Sequence, residues 1–409
     1  MVEPAKRMRH EKDSSGPDFV LFVYLASRLF YLVSGALLAR VVPVGVFQRI
    51  TSDVPFGTLN VWAHWDGEHY TNLAAHGYLQ PPSDVSPAFF PLYPLLMRSV
   101  DELFGGPISP EALSVWGVMI SLLALPIALY FVYRIAEDSW GEQTARVSVL
   151  TLAFFPTSFF LNAVYTESLF LALSAGSLWA VRVRKDLLLA CALAAFATAT
   201  RNVGVFLIVP LAYEWLKGGA GRYWLWRGAA CLALASSGLL WYAAYLWLRF
   251  GDPFLFYTQQ GRWGREATGP LTTLSRIFTK ADQGIRMFFD PNIWGDSSLR
   301  GLADRLAAAH NAYDLLFLGL ALALLVAGLW VLPLDLSAYT LLMILPAVFF
   351  GTPQFPLMGL PRYVLVAFPI FIVLGVLLEN PRRLGIWLAL SAASSLVFCA
   401  LFVSWRFVA

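Results

Sequence analysis

Apolar runs of about 20 residues recur along the whole chain, separated by short polar or charged stretches. A hydrocarbon core about 30 Å thick needs roughly 20 apolar residues per helix. By that measure the pattern predicts helices over 18–40, 111–135, 146–163, 165–182, 228–249, 309–331, 336–350, 362–379 and 384–405. Pro126 and Pro156 do not veto these helices, because neighbours in a bundle can satisfy the freed carbonyls. The stretch 186–216 reads either as one long helix or as two short ones broken at Thr200-Arg201-Asn202-Val203-Gly204. Lys217, Arg222 and Arg227 follow it, and cytoplasmic segments carry the excess of basic residues. Placing them there requires two short helices that meet at Arg201 on the opposite side. The expectation is an all-α polytopic membrane protein with about 11 transmembrane helices.

Two long segments interrupt the apolar pattern, 43–109 and 250–308. In the second, Phe254, Phe256, Trp263, Ile277, Met287, Phe288, Phe289 and Ile293 mix with Arg265, Arg276, Lys280 and Arg286, the composition of amphipathic helices lying at an interface. Arg134, Arg146, Arg182, Arg184, Lys185, Arg382 and Arg383 all fall on the side of the basic N-terminus, so residues 1–17 are expected as a cytoplasmic tail and 18–409 as a single transmembrane domain. The apolar run after the tail continues for about 25 residues without a small-residue cleavage site, which predicts a retained first helix. This topology places the 43–109 loop, the Tyr165-Thr166-Glu167 turn, Arg201-Asn202, the 250–308 loop and Pro361-Arg362-Tyr363 together on the extracytoplasmic face.

Composition agrees: 58% of the 409 residues are hydrophobic and 13% charged, against roughly 45 to 50% apolar in soluble domains. The net charge of +3 is small and its basic residues are scattered, so nothing predicts nucleic-acid binding. Cys191, Cys231 and Cys399 lack paired spacing, which predicts neither a disulfide framework nor a metal site. No phosphate-binding glycine motif is present, no segment is large enough for a nucleotide-binding domain, and no cofactor is expected. Any sugar or phosphate chemistry on the outer face therefore calls for a lipid-linked donor.

The polar residues concentrate in 62–78, WAHWDGEHYTNLAAHGY, where three of the five histidines and two carboxylates share 13 residues. Ionisable groups near lipid are costly and tend to mark functional sites. In a glycosyl transfer that inverts the anomeric carbon, a carboxylate takes the proton of the attacking hydroxyl. Asp66 is the candidate for that base and Glu68 for the second carboxylate. Trp65 and Tyr70 flank them as surfaces on which a sugar can stack. His64 and His69 are candidate substrate contacts; their spacing with Asp66 is not diagnostic of a metal, and no metal is expected. His76 is expected to face the interface. Ala88-Phe89-Phe90-Pro91-Leu92-Tyr93-Pro94 predicts a sharp turn at headgroup level.

Arg201 needs a partner between its two apolar half-helices, either a lipid phosphate or the Glu167 carboxylate. Arg362 faces the same choice, with snorkelling to the interface as the plain alternative. Tyr165, Asn202 and Tyr363 accompany them as candidate contacts to the donor phosphate or substrate. Arg28 sits in the middle of the first helix, and its partner cannot be read from the sequence.

Trp65-Asp66-Gly67 with Gly77-Tyr78, the Ala88-Pro94 turn, Phe155-Pro156-Thr157-Ser158 leading to Tyr165-Thr166-Glu167-Ser168-Leu169-Phe170, Ala199-Thr200-Arg201-Asn202-Val203-Gly204 and Pro361-Arg362-Tyr363 together resemble the PIG-V family. Those are the mannosyltransferases that add the second mannose in glycosylphosphatidylinositol assembly, with their prokaryotic relatives. The resemblance implies a GT-C membrane fold and inverting transfer of mannose from a polyprenyl-phosphate-mannose donor. It also implies a catalytic acidic residue in the first outer loop, which falls on Asp66. The chain is shorter than typical eukaryotic members and its Arg- and Ala-rich usage looks prokaryotic, so the acceptor is left as a lipid, glycan or protein. Two readings from other classes stand beside it: a transporter or flippase of a lipid-linked glycan, and a non-catalytic membrane scaffold. The absence of an internal repeat weakens the transporter reading.

Overall fold

The computed structural model describes residues 15–45, 59–79, 85–218, 224–290 and 298–408. The expected tail up to residue 14, Arg222 and Ile293 lie outside the described residues, as do parts of both long loops. What is described is almost wholly helical. Among the described residues the extended exception is a two-residue antiparallel ladder, in which Glu266–Ala267 pairs with Phe350–Gly351.

Five helices are long and apolar enough to cross a membrane: Ser15–Val41, Pro110–Trp140, Trp224–Phe250, His310–Val331 and Pro381–Val403. A sixth span forms if Leu360–Val366 and Pro369–Leu377, bent by 76° against each other, count as one. The protein is thus read as a multi-pass membrane protein. Leu248 is 85% exposed, Trp241 76% and Phe22 66%, and such bare apolar side chains on the flanks of spans suit contact with lipid rather than water.

The remaining apolar helices are short. Leu187–Thr200 has 14 residues and at 1.5 Å per residue reaches about 21 Å, less than the core thickness. The predicted 146–163 helix is Glu142–Ala153, followed by a 3-10 turn over Ser158–Asn162. Pro156 lacks an N–H and its ring crowds the carbonyl one turn earlier, which favours ending the helix here. Pro126, by contrast, is carried inside the continuous Pro110–Trp140 helix. Pro369 opens the second half of the bent pair for the same reason that Pro156 closes a helix.

The helix end at Ala153 explains Arg28. Its Nη2 donates to the Ala153 carbonyl at 3.0 Å, and its Nη1 donates to the Ser158 carbonyl at 3.1 Å and to Asn162 Oδ1 at 2.6 Å. The partner of this buried cation is the partially negative carbonyl end of a helix, and the contact ties the first helix to the centre of the bundle.

The break predicted at Arg201 is present: Leu187–Thr200 stops, Asn202–Leu207 turns as a 3-10 helix, and Ile208–Lys217 continues. Gly204 permits it, because a Cβ there would meet the Ala197 carbonyl at 2.8 Å. In the 250–308 segment, Pro270–Phe289 and Leu299–Ala308 form the expected amphipathic helices, with Ile277 and Ala281 inward and Leu271 and Phe278 outward. Asp66–His76 and Leu92–Leu103 are the corresponding short helices of the first loop.

Candidate active site

Four charged residues far apart in sequence meet where helices begin or end. Asp66 opens the helix Asp66–His76, Glu167 opens Glu167–Trp179, Arg201 follows Leu187–Thr200, and Arg362 lies in the first turn of Leu360–Val366. Carboxylates at helix starts are favoured by the N-terminal backbone charge. Arg362 bridges the two acids: its Nη1 donates to Asp66 Oδ2 at 2.6 Å and its Nε to Glu167 Oε1 at 2.6 Å. Arg201 Nη1 donates to the same Glu167 oxygen at 2.7 Å and to Thr166 Oγ1 at 3.2 Å.

Burial separates the members of this chain of charges. The Glu167 side chain is fully buried, whereas that of Asp66 is 33% exposed. Glu167 Oε2 has no hydrogen-bond partner among the described residues. A buried carboxylate is tolerated because two guanidinium groups face it. Arg362 also lies over the Tyr165 ring, 4.5 Å from its centroid, and Arg201 over the Tyr363 ring at 5.7 Å. Arg201 and Arg362, expected to meet either a phosphate or a carboxylate, both have a carboxylate.

The turn that presents Asp66 is held from both sides. Trp65 has φ of 59°, a left-handed conformation that costs a non-glycine residue energy and therefore has to be held by its surroundings. The Tyr165 hydroxyl donates to the His64 carbonyl and accepts from the Asp66 N–H, each at 3.2 Å. Tyr165 thus spans the strained turn on both flanks.

Asp66, Tyr70, Arg201, Asn202, Arg362 and Tyr363 line one small polar cavity of about 120 Å³. Burial pushes the Tyr70 hydroxyl up from its ordinary pKa, so it stays protonated. The other predicted residues stand behind or beside this cavity. Glu68 is two positions further along the Asp66 helix and is not part of the cavity wall. His64 stacks on Trp405 at 4.0 Å, and its Nδ1–H donates to the Phe402 carbonyl at 3.2 Å. Burial lowers its pKa to about 4, so it is a neutral packing residue. His69 stacks on Phe89 at 4.9 Å, and the Trp65 ring meets Phe407 at 5.5 Å. His76 is exposed at the far end of its helix, as expected of a residue facing the interface, and its Nδ1–H donates to the Asn72 carbonyl. Among the described residues no three His, Cys, Asp or Glu side chains are grouped to hold a metal.

The structure adds wall residues that the sequence pattern assigned to a headgroup-level turn and an interfacial helix. Phe89 and Phe90 of the predicted turn line the cavity, as do Trp263 and Arg265 of the second loop. Trp263 meets His69 at 5.9 Å and Phe89 at 5.7 Å, closing the cavity across the two loops. The sole signal in the sequence was an aromatic and a basic residue two apart, which an interfacial helix would also show.

Beside the polar cavity lies an apolar groove of about 750 Å³ walled by Leu73, Tyr78, Leu95, Ala199, Leu234 and Trp241. The helices Asp66–His76 and Leu187–Thr200 and the Phe90-Pro91 turn contribute to both. One end of each shared helix is therefore polar and ionic, and its flank is apolar.

Comparison with known proteins follows this geometry. Residues 19–218 match the family model described as Mannosyltransferase (PIG-V). The human GPI alpha-1,6-mannosyltransferase 2 is 28% identical over 191 residues, 44% of this chain and 36% of that protein. The GPI mannosyltransferase 2 of Drosophila pseudoobscura pseudoobscura is 28% identical over 116 residues, 26% of this chain and 24% of that protein. The matched stretches thus span about a quarter to a third of these relatives' length. Among solved structures, the Archaeoglobus fulgidus oligosaccharyltransferase in the apo form gives a TM-score of 0.44 at 12% identity, covering 92% of this chain and 56% of that one. ArnT from Cupriavidus metallidurans bound to undecaprenyl phosphate gives 0.41 at 13%, covering 96% and 78%. Likenesses this distant carry no argument about the site.

Proposed function

With residues 19–218 similar to the PIG-V mannosyltransferases as premise, we propose that the protein is an inverting mannosyltransferase that uses a polyprenyl-phosphate-mannose donor. The observation that carries this reading is the position of Asp66, a partly exposed carboxylate in a polar cavity that adjoins an apolar groove. The groove suits the isoprenoid chain of a lipid donor, and the cavity suits its sugar. Asp66 accepts the proton of the acceptor hydroxyl as the acceptor oxygen bonds to the anomeric carbon. The bond from that carbon to the phosphate oxygen breaks, and the polyprenyl phosphate leaves.

Arg362 orients Asp66 through the 2.6 Å contact on Oδ2, and no side chain among the described residues bonds Oδ1, which is the oxygen offered to the acceptor. Glu167 holds both arginines in place, and Tyr165 holds the turn. Tyr70, Asn202 and Tyr363 supply polar contacts to the sugar. The excess of basic residues at the opposite helix ends supports an extracytoplasmic site. The acceptor is a lipid, glycan or protein at that face.

The test is transfer of labelled mannose from polyprenyl-phosphate-mannose in proteoliposomes holding the full chain. Transfer with inversion supports the reading. Movement of the lipid-linked sugar across the bilayer without formation of a glycosidic bond replaces it with a flippase, and full transfer by Asp66→Asn removes Asp66 as the base.

A further inference from the structure

The charges of the cavity do not cancel, and the surplus sits on one residue. Asp66, Arg201, Arg265 and Arg362 line the cavity, and the buried Glu167 pairs with Arg201 and Arg362 from behind its wall. Arg201 and Arg362 are paired to these carboxylates at 2.6 to 2.7 Å. No carboxylate lies within ion-pair distance of Arg265 among the described residues. It donates from Nη2 to the Met358 carbonyl at 3.3 Å, a long contact that uses one of its five N–H groups. This half-buried guanidinium at the cavity wall faces the Met358 carbonyl and the Tyr363 hydroxyl rather than a carboxylate, which leaves N–H donors for an anion.

From this imbalance we propose that Arg265 is the residue that binds the phosphate of the lipid donor, a role for which Arg201 and Arg362 are already committed elsewhere. The inference rests on the donor class proposed above and names the residue that recognises it. The geometry around Arg265 supports a fixed position. The residue immediately precedes the Glu266–Ala267 strand, whose pairing with Phe350–Gly351 anchors the second loop to the end of the Leu334–Phe349 helix. Gly359 has φ of 86°, a conformation that favours glycine, and its backbone lies against the guanidinium: a Cβ built there would be 3.4 Å from Arg265 Nη2. Trp263, two residues earlier, packs against the first loop. The guanidinium is thereby held at the cavity wall, with donors in a planar fork that matches two phosphate oxygens. Bonding to phosphate adds one or two charge-assisted hydrogen bonds and leaves the Asp66–Arg362–Glu167–Arg201 chain intact.

The test measures binding separately from transfer. The full chain in lipid nanodiscs is titrated with undecaprenyl phosphate and, in parallel, with undecaprenol, which differs in lacking the phosphate. The wild type is expected to prefer the phosphate form by about tenfold or more. Arg265→Gln is expected to abolish most of that preference at an unchanged melting temperature, and Arg265→Lys to retain part of it. If Arg265→Gln keeps the full preference, or if the wild type shows none, the assignment is overturned. Should Arg265→Gln fail to fold, a preference in Arg265→Lys equal to the wild type's overturns it and a reduced one supports it. A preference shown by the wild type and lost in Arg265→Gln, in a protein that transfers no mannose, leaves this site standing and removes the proposed reaction. Mannose transfer with an unchanged donor KM in Arg265→Gln does the reverse.

Discussion

The helix that begins at Glu167 carries buried ion pairs at both ends, and the two ends differ in what they leave unsatisfied. It runs through Trp179 into a π turn over Ala180–Arg184, so Glu167 and Arg182 are 15 positions and about 22 Å apart. At the far end Arg182 pairs with the buried Asp335 at 2.5 Å and with Glu214 at 3.4 Å, while Lys185 and Lys217 approach Glu214 at 3.9 and 3.5 Å. A cavity of about 660 Å³ opens there, larger than the one at Asp66. Its three cations, Arg182, Lys185 and Lys217, are matched by Asp138, Glu214 and the adjacent Asp335. The Glu167 end has a partly exposed carboxylate and a surplus guanidinium in a smaller space. Neither the buried ion pair nor the size of the cavity distinguishes a reactive site; the distinguishing feature is charge that the protein does not itself neutralise.

The largest test of this contrast removes the shared acceptor. Glu167→Ala leaves Arg201 without its carboxylate and Arg362 with Asp66 alone in a buried setting, and losing one partner of a buried pair costs about 3 to 5 kcal/mol. Thermal unfolding in detergent should show a collapse of stability, and a near-normal melting temperature would mean that the two arginines find other partners. Asp66→Asn should instead lower mannose transfer by about 10² to 10⁴ while the melting temperature stays close to that of the wild type. A parallel loss of stability and transfer would recast Asp66 as structural.

At the other end, Asp335→Asn weakens the buried contact to Arg182 and should cost about 1 to 3 kcal/mol of stability. Mannose transfer per folded molecule should be unchanged, and a raised donor KM would break the separation between the two ends. The acid dependence of stability tests His64. Its imidazole has a pKa of about 4 in the folded chain against 6.5 when free. Between those values the unfolded chain binds the extra proton, so this part of the stability is present above pH 6.5 and is lost as pH falls towards 4. The melting temperature should fall over that window, and His64→Gln should flatten the fall; an unchanged pH profile in the variant would show that His64 is not buried as described. The smallest effect is expected from Lys217→Gln. The Lys217 side chain is 52% exposed, and surface pairs of this kind contribute about 0 to 1 kcal/mol.

The local part of this protein was legible in one dimension. The apolar runs predicted an all-helical membrane protein, the polar interruption at 62–78 located the Asp66 turn, and the break at Arg201 followed from the need to keep basic residues on one side. Five or six of the about 11 expected spans are long and apolar enough to cross by themselves among the described residues; a hydropathy run does not tell a crossing helix from a short apolar helix packed inside the bundle, such as Leu187–Thr200 or Pro369–Leu377. The dense polar stretch marks His64 and His69 as candidate substrate contacts; that both stack on aromatic rings is visible only in the fold.

Sequence alone thus determined where the ionisable residues lie along the helices, since hydrophobic periodicity and the cost of charge in lipid act locally. Tertiary structure decided which charges cancel. Arg362 is 296 positions from Asp66 and 195 from Glu167, and Arg28 is 125 from the Ala153 carbonyl. Ion pairing depends on distance in space, so only the packed bundle shows that Arg201 and Arg362 face carboxylates and that Arg265 faces none.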